Sequence, residues 1–388
     1  MTDAPEELGG APAPRENGDG VRARNLARVL RLVHRGGAQS RAQLTAATGL
    51  NRSTIADLVG ELVTEGWVVE RDPDPVGRVG RPSPVVEASP QTVVIAVNPE
   101  IDAVEVAAIG LAHNVAVRER IESASLLAAG EVAALVADVV ERWRRGPLET
   151  ARIVAIGVAV PGLVRAADGL VRNAPHLGWT DAPLRALIAE ATGLPVAVGN
   201  DASLGALAEH LFGAAQGADD VVYLNGGPSG IGGGIIVHGA PVGGVGGYAG
   251  EFGQNRVGDG SPTVLEDEVS RARLLDVLGL AAADEATLAE ALAAASDDGP
   301  VRAECERQRG VLAQAIGDAV NILNPSVVVL GGFLAQLETL DPEGFAADVA
   351  GCAMPENAEG LRILPASLAA DRLLLGAAEH AFASAGVI

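Results

Sequence analysis

Residues 40–66 have the spacing of a helix–turn–helix, and no other stretch limits the fold of its surroundings as strongly. Ser40 is placed to cap a first helix, and Gln43 three residues later would complete a capping box. Leu44 and Ala47 would form the inner face of that helix. A turn glycine, a second capping residue and a second apolar face at helical spacing then follow: Gly49, Asn51, and Ile55, Leu58, Val59 and Leu62. This pattern predicts two short helices joined by a tight turn.

The second of these helices has the features of a DNA-recognition helix. Its exposed N-terminal end carries Arg52, Ser53 and Thr54, at the point where such helices contact bases and phosphates. Residues 67–70 predict a strand, and residues 77–82 a glycine-rich wing whose arginines would contact phosphates or a minor groove. With a first helix at about 22–35, residues 21–88 therefore predict a winged helix–turn–helix domain that binds double-stranded DNA through Arg41, Asn51, Arg52, Ser53, Thr54, Arg78 and Arg81. A small helical bundle without a ligand is the alternative.

The charge distribution indicates a DNA-binding domain attached to an acidic body. The chain of 388 residues carries a net charge of −22, yet residues 21–88 hold ten arginines against seven acidic residues. Screening at cellular salt acts over about 8 Å, so a local basic face on an acidic body can still bind phosphates. Residues 1–20, rich in Pro, Gly and Glu, predict a disordered tail.

Composition favours a cytoplasmic protein with one or two further globular domains. No run of about 18 apolar residues and no apolar leader is present, so we expect no membrane partner. Cys305 and Cys352 are the only cysteines, which favours neither a disulfide scaffold nor a cysteine-based metal cluster.

Strand and helix patterns alternate through the rest of the chain, which predicts an α/β body in two halves, the second starting near residues 201–220. The predicted strands are 92–97, 103–110, 114–120, 153–160, 195–199, 221–225, 233–238, 326–330 and 361–364. The predicted helices are 130–145, 181–192, 202–212, 262–278, 285–296, 300–323, 342–350 and 371–385.

Residues 225–254 are exceptionally rich in glycine, which lets a backbone approach a bound phosphate or sugar closely. A glycine-rich loop alone is weak evidence, but other motifs accompany it: Pro161-Gly162, Asn173-Ala-Pro175-His176-Leu177-Gly178-Trp179, Gly199-Asn200-Asp201-Ala202, Leu265-Glu266 and Val329-Leu330-Gly331-Gly332. In this order and spacing, residues 22–385 resemble the ROK family, named for repressors, open reading frames and sugar kinases. The most specific motif is Gly247-Tyr-Ala-Gly-Glu-Phe-Gly253.

The resemblance implies an α/β, two-lobed actin- and hexokinase-like (ribonuclease H-like) body that holds a sugar in its cleft, behind the N-terminal winged helix–turn–helix. Lobe 1 would cover residues 89–200, completed by a C-terminal helix within 366–388, and lobe 2 residues 201–365. The sugar or other effector would contact His176, Asn200, Asp201, Gly230, Glu251, Gln254 and Glu266. Amides and carboxylates of this kind accept hydrogen bonds from, or donate them to, vicinal hydroxyls. In the kinases of the family, the Asp at the Asp201 position is the general base.

Plainer roles for these side chains stay open. Asp201 could cap a helix that begins at Ala202, and Glu251 could pair with an arginine such as Arg256. Glu266 could simply belong to a solvated helix start, and His176 could have a capping or structural role. We read Gly331 and Gly332 as a strand-to-helix turn.

Departures from the kinase pattern predict a body that does not catalyse. Where the kinases carry Asp-x-Gly-Gly-Thr, this chain reads Asn98-Pro99-Glu100-Ile101, which removes an N–H and places a negative charge where phosphate would bind. The family's zinc histidine is Gln254 here, and residues 258–264 contain no cysteine, so we expect neither zinc nor any other cofactor. An Asn common in the family is replaced by His176.

The resemblance therefore implies a non-enzymatic, sugar-responsive transcriptional repressor that binds a pseudo-palindromic operator as a homodimer or homotetramer. Two alternatives remain: a sugar kinase with a DNA-binding appendage, and a DNA-binding protein whose body serves only for dimerisation.

Overall fold

A computed structural model describes residues 18–72, 83–258, 262–295 and 298–388. The chain divides into two compact units, of which the first comprises residues up to Ser89 together with Ile388 and the second spans Pro90–Val387. Across the described ranges, no helix is both long and apolar enough to cross a membrane.

The first unit is a helical domain closed by a small antiparallel sheet. Its elements are α1 (Gly18–Gly36), β1 (Gln39–Ser40), α2 (Arg41–Thr48), α3 (Arg52–Thr64), β2 (Val68–Arg71) and β3 (Val85–Ala88). The strands pair in the order β1-β3-β2. The core is formed by apolar residues at helical spacing on the three helices: Val29, Leu30, Val33, Leu44, Ile55, Leu58, Val59 and Leu62. The prediction for Ala47 was wrong, because Ala47 is exposed and Thr48 takes the inner position beside Leu44.

The first half of the second unit is built on a mixed sheet. Its elements are β4 (Thr92–Pro99), β5 (Ala103–Gly110), β6 (Val115–Glu122), α4 (Ala129–Arg144), β7 (Arg152–Val160), β8 (Leu163–Arg165), β9 (Leu170–Ala174), β10 (Trp179–Ala182), α5 (Leu184–Thr192), β11 (Val196–Asn200) and α6 (Asp201–Phe212). The sheet has the order β11-β7-β4-β5-β6, and β8 to β10 form a separate three-stranded sheet. Strands β4 and β5 are buried along their whole length, which explains why their sequences are mostly apolar, with Thr92, Asn98 and Glu105 as the buried polar exceptions.

The second half carries a second five-stranded sheet of the order β14-β13-β12-β15-β16. Its elements are β12 (Val221–Gly227), β13 (Gly230–Val237), β14 (Ala240–Pro241), α7 (Leu265–Glu268), α8 (Arg271–Leu278), α9 (Glu285–Ala294), α10 (Gly299–Leu323), β15 (Val327–Gly332), α11 (Phe333–Thr339), α12 (Pro342–Cys352), α13 (Pro355–Ala358), β16 (Arg362–Pro365) and α14 (Arg372–Ser384). As predicted, Gly331 and Gly332 end a buried strand directly before a helix, and Gly332 has the positive φ of 60° that this turn needs.

The last helix of the chain packs against elements of the first half. A Cβ on Gly157 of β7 would lie 1.9 Å from the backbone oxygen of Ala377 in α14. A Cβ on Gly376 of α14 would lie 2.2 Å from the backbone oxygen of Leu204 in α6. Two glycines therefore allow α14 to approach β7 and α6 at backbone distance.

Several elements of the second unit differ from the sequence prediction. The small sheet of β8 to β10, the short strand β14 and the helices α11 and α13 were missed, and the predicted helix 262–278 is broken into α7 and α8. The break lies at Ser270, whose backbone N–H and C=O are both bound by the buried Gln308 side chain of α10 at 3.1 Å. Because that side chain replaces the missing helical hydrogen bonds, the interruption leaves these polar groups satisfied.

Candidate functional site

Side-chain caps fix the start of each helix in the helix–turn–helix. The Ser40 Oγ accepts a hydrogen bond from the Gln43 N–H at 3.2 Å, and the Gln43 Oε1 accepts one from the Ser40 N–H at 2.8 Å. Gly49 closes α2 with a φ of 73°. The Asn51 Oδ1 accepts from the Thr54 N–H at 2.8 Å and begins α3. The predicted capping box, turn glycine and second cap are all present.

The side chains predicted to contact DNA differ in their exposure and in whether they already bind other groups of the protein. Arg52 and Ser53 are exposed in the first turn of α3, and Thr54 is partly exposed. The Ser53 hydroxyl donates to the Asn51 Oδ1 at 2.7 Å, so both side chains take part in the helix start. Arg41 donates through two nitrogens to the Glu70 carboxylate, which balances its charge within the unit. Arg78 and Arg81 lie outside the described residues.

The second unit contains a cavity of about 700 Å³ whose wall includes every sugar-contact residue predicted from the sequence. These residues come from the ends of several different elements: His176, Asn200, Asp201, Gly230, Glu251, Gln254 and Glu266. A concave site with several convergent polar groups is typical of small-molecule binding.

Asn200 and Asp201 are held together where β11 passes into α6. The Asn200 Oδ1 accepts from the Ser203 N–H at 2.9 Å, and its Nδ2 donates to the Gly162 oxygen at 3.1 Å. The predicted alternative that Asp201 caps the helix is therefore wrong: Asn200 is the cap, because its extended backbone directs its amide over the first turn. The Asp201 Oδ1 accepts from the Ala202 N–H at 2.8 Å. Within the described part of the chain no hydrogen bond is given to its Oδ2, so this oxygen can accept one from a ligand.

Burial and neighbouring charge raise the pKa of two cavity carboxyls. Burial raises the pKa of Asp201 to about 6, and the charge of Glu251 adds to the effect, while the Ala202 N–H and the Arg372 charge oppose it. Burial and the charge of Glu266 likewise raise the pKa of Glu251. Among the described residues Glu251 makes no ion pair with Arg256, so that alternative is not realised. The carboxyls of this cluster thus disfavour one another's charged forms.

Glu266 is clamped into the wall rather than solvated at a helix start. Its Oε2 accepts from the Ile231 N–H at 3.2 Å, and its Oε1 accepts from the Gln254 Nε2 at 2.5 Å. A Cβ on Gly230 would lie 2.3 Å from the same Oε2, so the glycine makes room for the carboxylate. Gln254 therefore positions Glu266 from the place where the resemblance expects a zinc histidine.

The stretch at which the resemblance expects the kinase phosphate loop also lines the cavity, and ion pairs hold it in place. The buried Asn98 donates to the Glu100 Oε1 at 3.0 Å. Arg120 binds the other Glu100 oxygen and is shared with Asp102 at 3.1 Å and Glu122 at 2.9 Å. This part of the wall is acidic and internally paired.

Arg372 is a cavity residue that sequence reasoning missed. It is 8% exposed at the start of α14, where it donates to the Asn225 Oδ1 at 3.0 Å and to the Ala369 oxygen at 2.8 Å. The only available signal was a lone arginine at the start of an apolar helix, far along the chain from every other motif.

Comparisons with known proteins agree with this geometry. A family model described as the ROK family matches residues 94–383. A xylose repressor of Caldicellulosiruptor bescii is 27% identical over 75% of this chain and 78% of its own length. A glucokinase of Halalkalibacterium halodurans is 29% identical over 58% of this chain and 74% of its own.

Solved structures show the same architecture. A ROK family transcriptional regulator, described as a homolog of the E. coli MLC protein, covers 95% of this chain and 98% of its own, with a TM-score of 0.76 and 23% identity. A ROK glucokinase from Streptomyces griseus, solved with glucose and AMPPNP, covers 74% of this chain and 99% of its own, with a TM-score of 0.59 and 24% identity. The predicted fold class, an actin- and hexokinase-like body with an N-terminal winged helix domain, is confirmed.

Proposed function

This chain belongs to the ROK family, and from that premise we propose that it is a sugar-responsive transcriptional regulator of the repressor type. One observation carries the proposal: a helix–turn–helix with side-chain caps at the start of both helices occurs in the same chain as a cavity lined by all the predicted sugar contacts. Relatives named xylose repressors support the same assignment.

In the first unit, α3 is the element that reads DNA. Arg52, Ser53 and Thr54 occupy its first turn, from which side chains reach base edges and phosphates in a major groove. A homodimer or homotetramer presents two such helices to the halves of a palindromic operator. The first unit carries the basic excess, and the acidic remainder of the chain limits nonspecific binding to DNA.

In the second unit, the cavity holds a sugar without transforming it. The free Asp201 oxygen accepts a hydrogen bond from one hydroxyl, and Asn200, Glu251 and His176 offer further polar groups. Glu100 places a carboxylate where an ATP phosphate would need cations and N–H donors. Sugar occupancy then changes the affinity of the protein for its operator.

The proposal is tested by recovering genomic DNA bound to the purified full-length protein, then titrating sugars against the recovered operator. We expect a palindromic site, and one or more sugars that change its affinity at least about tenfold. Thermal shift with the same panel supplies a second readout, since a ligand at 100 times its Kd adds about 2.7 kcal/mol of stability. A recovered operator with no thermal response to any sugar would favour the dimerisation-scaffold alternative.

A second candidate, a sugar kinase with a DNA-binding domain, is favoured by one observation. The Asp201 carboxyl has a pKa of about 6, close to the working range of a general base. Glucokinases are also among the relatives. A coupled assay of ATP consumption over the same sugars separates the two functions, because sustained turnover abolished by Asp201→Asn would establish the kinase.

A further inference from the structure

We infer that the cavity selects an uncharged sugar and excludes the phosphorylated form of that sugar. This inference rests on the proposed function and narrows its effector class. Three properties of the wall support it. Most of its charged side chains are acidic, its arginine already binds other groups of the protein, and a backbone N–H of its glycine-rich segment already donates to a carboxylate.

The wall is strongly acidic. It contains a single arginine, Arg372, among the described residues and six carboxyl side chains: Glu100, Asp102, Asp201, Glu251, Glu266 and Glu285. A phosphate group would bring up to two further negative charges into this surface. Like charges brought together at a binding site reduce affinity strongly, whereas hydroxyls use the same carboxylates as hydrogen-bond acceptors.

The arginine is already committed to the protein. Arg372 donates to the Asn225 Oδ1 and the Ala369 oxygen, and its guanidinium lies 3.6 Å from a Glu285 carboxylate oxygen. Its buried Nε has no hydrogen-bond partner among the described residues, but both terminal nitrogens are engaged and the side chain is only 8% exposed. A phosphate could therefore form a two-point pair with the guanidinium only by displacing one of these partners. Arg372 therefore offers no ready counter-charge to an anionic ligand.

A backbone donor of the glycine-rich segment is occupied by a carboxylate of the protein itself. Loops that bind phosphate present free N–H groups to it. Here the Ile231 N–H donates to Glu266, and Gly230 pairs with Gly227 across the turn between β12 and β13. The Glu266 carboxylate thus occupies the N–H donor that a phosphate group of a ligand would otherwise bind.

Glu100 adds a negative charge that is held in place. Asn98 and Arg120 both bind its carboxylate, and Arg120 is shared with two further acidic residues, Asp102 and Glu122. The three carboxylates around this arginine exceed its single positive charge. The network is therefore net negative and repels a phosphate in its vicinity.

The test is calorimetric titration of the full-length protein with matched pairs of ligands near neutral pH and at low salt. The pairs are glucose, mannose, xylose and N-acetylglucosamine, each with its monophosphate. We expect at least one free sugar to bind, and its phosphate to bind at least about tenfold more weakly. Raising the salt to about 0.5 M should reduce the ratio of the two dissociation constants, phosphate over free sugar, since screening weakens the repulsion between the phosphate and the wall.

Two variants assign the effect to the wall. Glu100→Gln should raise the affinity for the phosphate at least about threefold and so narrow the ratio. Glu141→Gln, on the exposed surface of α4, should leave the ratio unchanged. A phosphate that binds as tightly as its free sugar overturns the inference but leaves the proposed function standing. If no compound binds, the proposed function itself fails, and the inference fails with it.

Discussion

At the scale of single residues, the ionised Asp201 carboxylate destabilises the ligand-free cavity, and a hydrogen bond from a ligand would offset part of this effect. The Asp201 carboxyl is desolvated and close enough to Glu251 to be repelled by it, so its pKa rises from 3.8 to about 6. Below the unfolded value the carboxyl is protonated in both states and costs nothing. Between that value and about 6 the unfolded chain ionises the carboxyl while the native protein keeps it protonated, so about 3 kcal/mol of stability is lost as the pH rises from about 4 to about 6, and the loss stays constant above that. A sugar hydroxyl donated to Asp201 would offset part of this cost.

We therefore predict that Asp201→Asn stabilises the ligand-free protein. The expected gain in the free energy of unfolding is up to about 3 kcal/mol near pH 7.5 and close to zero near pH 4. The asparagine oxygen can still accept from the Ala202 N–H, so the local fold is retained. Urea unfolding at both pH values measures the difference. The exposed Asp276→Asn in α8 serves as the control, and an equal effect of Asp201→Asn at both pH values would contradict the prediction.

At the scale of elements, the side-chain cap of α3 and the close approach of α14 to β7 determine which surfaces these two helices expose and bury. Helix α3 begins at a side-chain cap that leaves Arg52 exposed, whereas Arg41 of α2 is paired with Glu70. Helix α14 reaches β7 only because residue 157 has no side chain. The first contact leaves Arg52 exposed for the proposed DNA interface. The second lets the C-terminal helix pack against the first five-stranded sheet.

For α3, we predict that Arg52→Ala weakens operator binding. If the arginine contacts a base, the loss of binding free energy should be about 1–3 kcal/mol; if it contacts a phosphate, the slope of log affinity against log salt concentration should fall by about 1. The side chain is exposed, so the thermal midpoint should not change. Fluorescence anisotropy over a range of salt concentrations measures both quantities. Arg302→Ala on the exposed face of α10 is the matched control, and identical affinities for the two variants would remove Arg52 from the interface.

For α14, we predict that Gly157→Ala destabilises the second unit by about 1–3 kcal/mol or more, because the added methyl group meets the Ala377 backbone oxygen. Gly130→Ala is the control: it lies in α4 with open space around it and should be neutral or stabilising by up to about 1 kcal/mol. Chemical denaturation compares the two. Equal stability of the variants would show that α14 can shift away without cost.

At the scale of the whole molecule, sequence reasoning was most accurate where local signals agreed. Strand β5 occupies the predicted residues 103–110, because an apolar run interrupted only by Glu105 and bounded by turn signals has few alternatives. The sheet of β8 to β10 was missed, since strands of three to five residues with polar positions produce no clear period. Arg372 was missed because only the tertiary fold brings α14 to the cavity. The partners of Glu266 and Arg41 likewise depend on contacts between distant segments.

The proposed function makes one prediction for the intact molecule. After incubation with its effector and then dialysis, the protein should return to the operator affinity that it has without ligand, and mass spectrometry should recover the sugar unchanged. The reason is that the proposed function assigns no phosphoryl donor to the cavity, because the Glu100 carboxylate in its wall would repel the phosphates of ATP. Recovery of a phosphorylated sugar in the presence of ATP would contradict it.

The Glu100–Arg120 network has a consequence for signalling. A cavity that destroyed its ligand would report a rate of supply, and its signal would decay as the ligand was used up. If the cavity binds a sugar without phosphoryl transfer, as we propose, it instead reaches equilibrium with the surrounding sugar. The fraction of occupied cavities then depends only on the sugar concentration, and it adjusts to a new concentration within the residence time of one bound sugar.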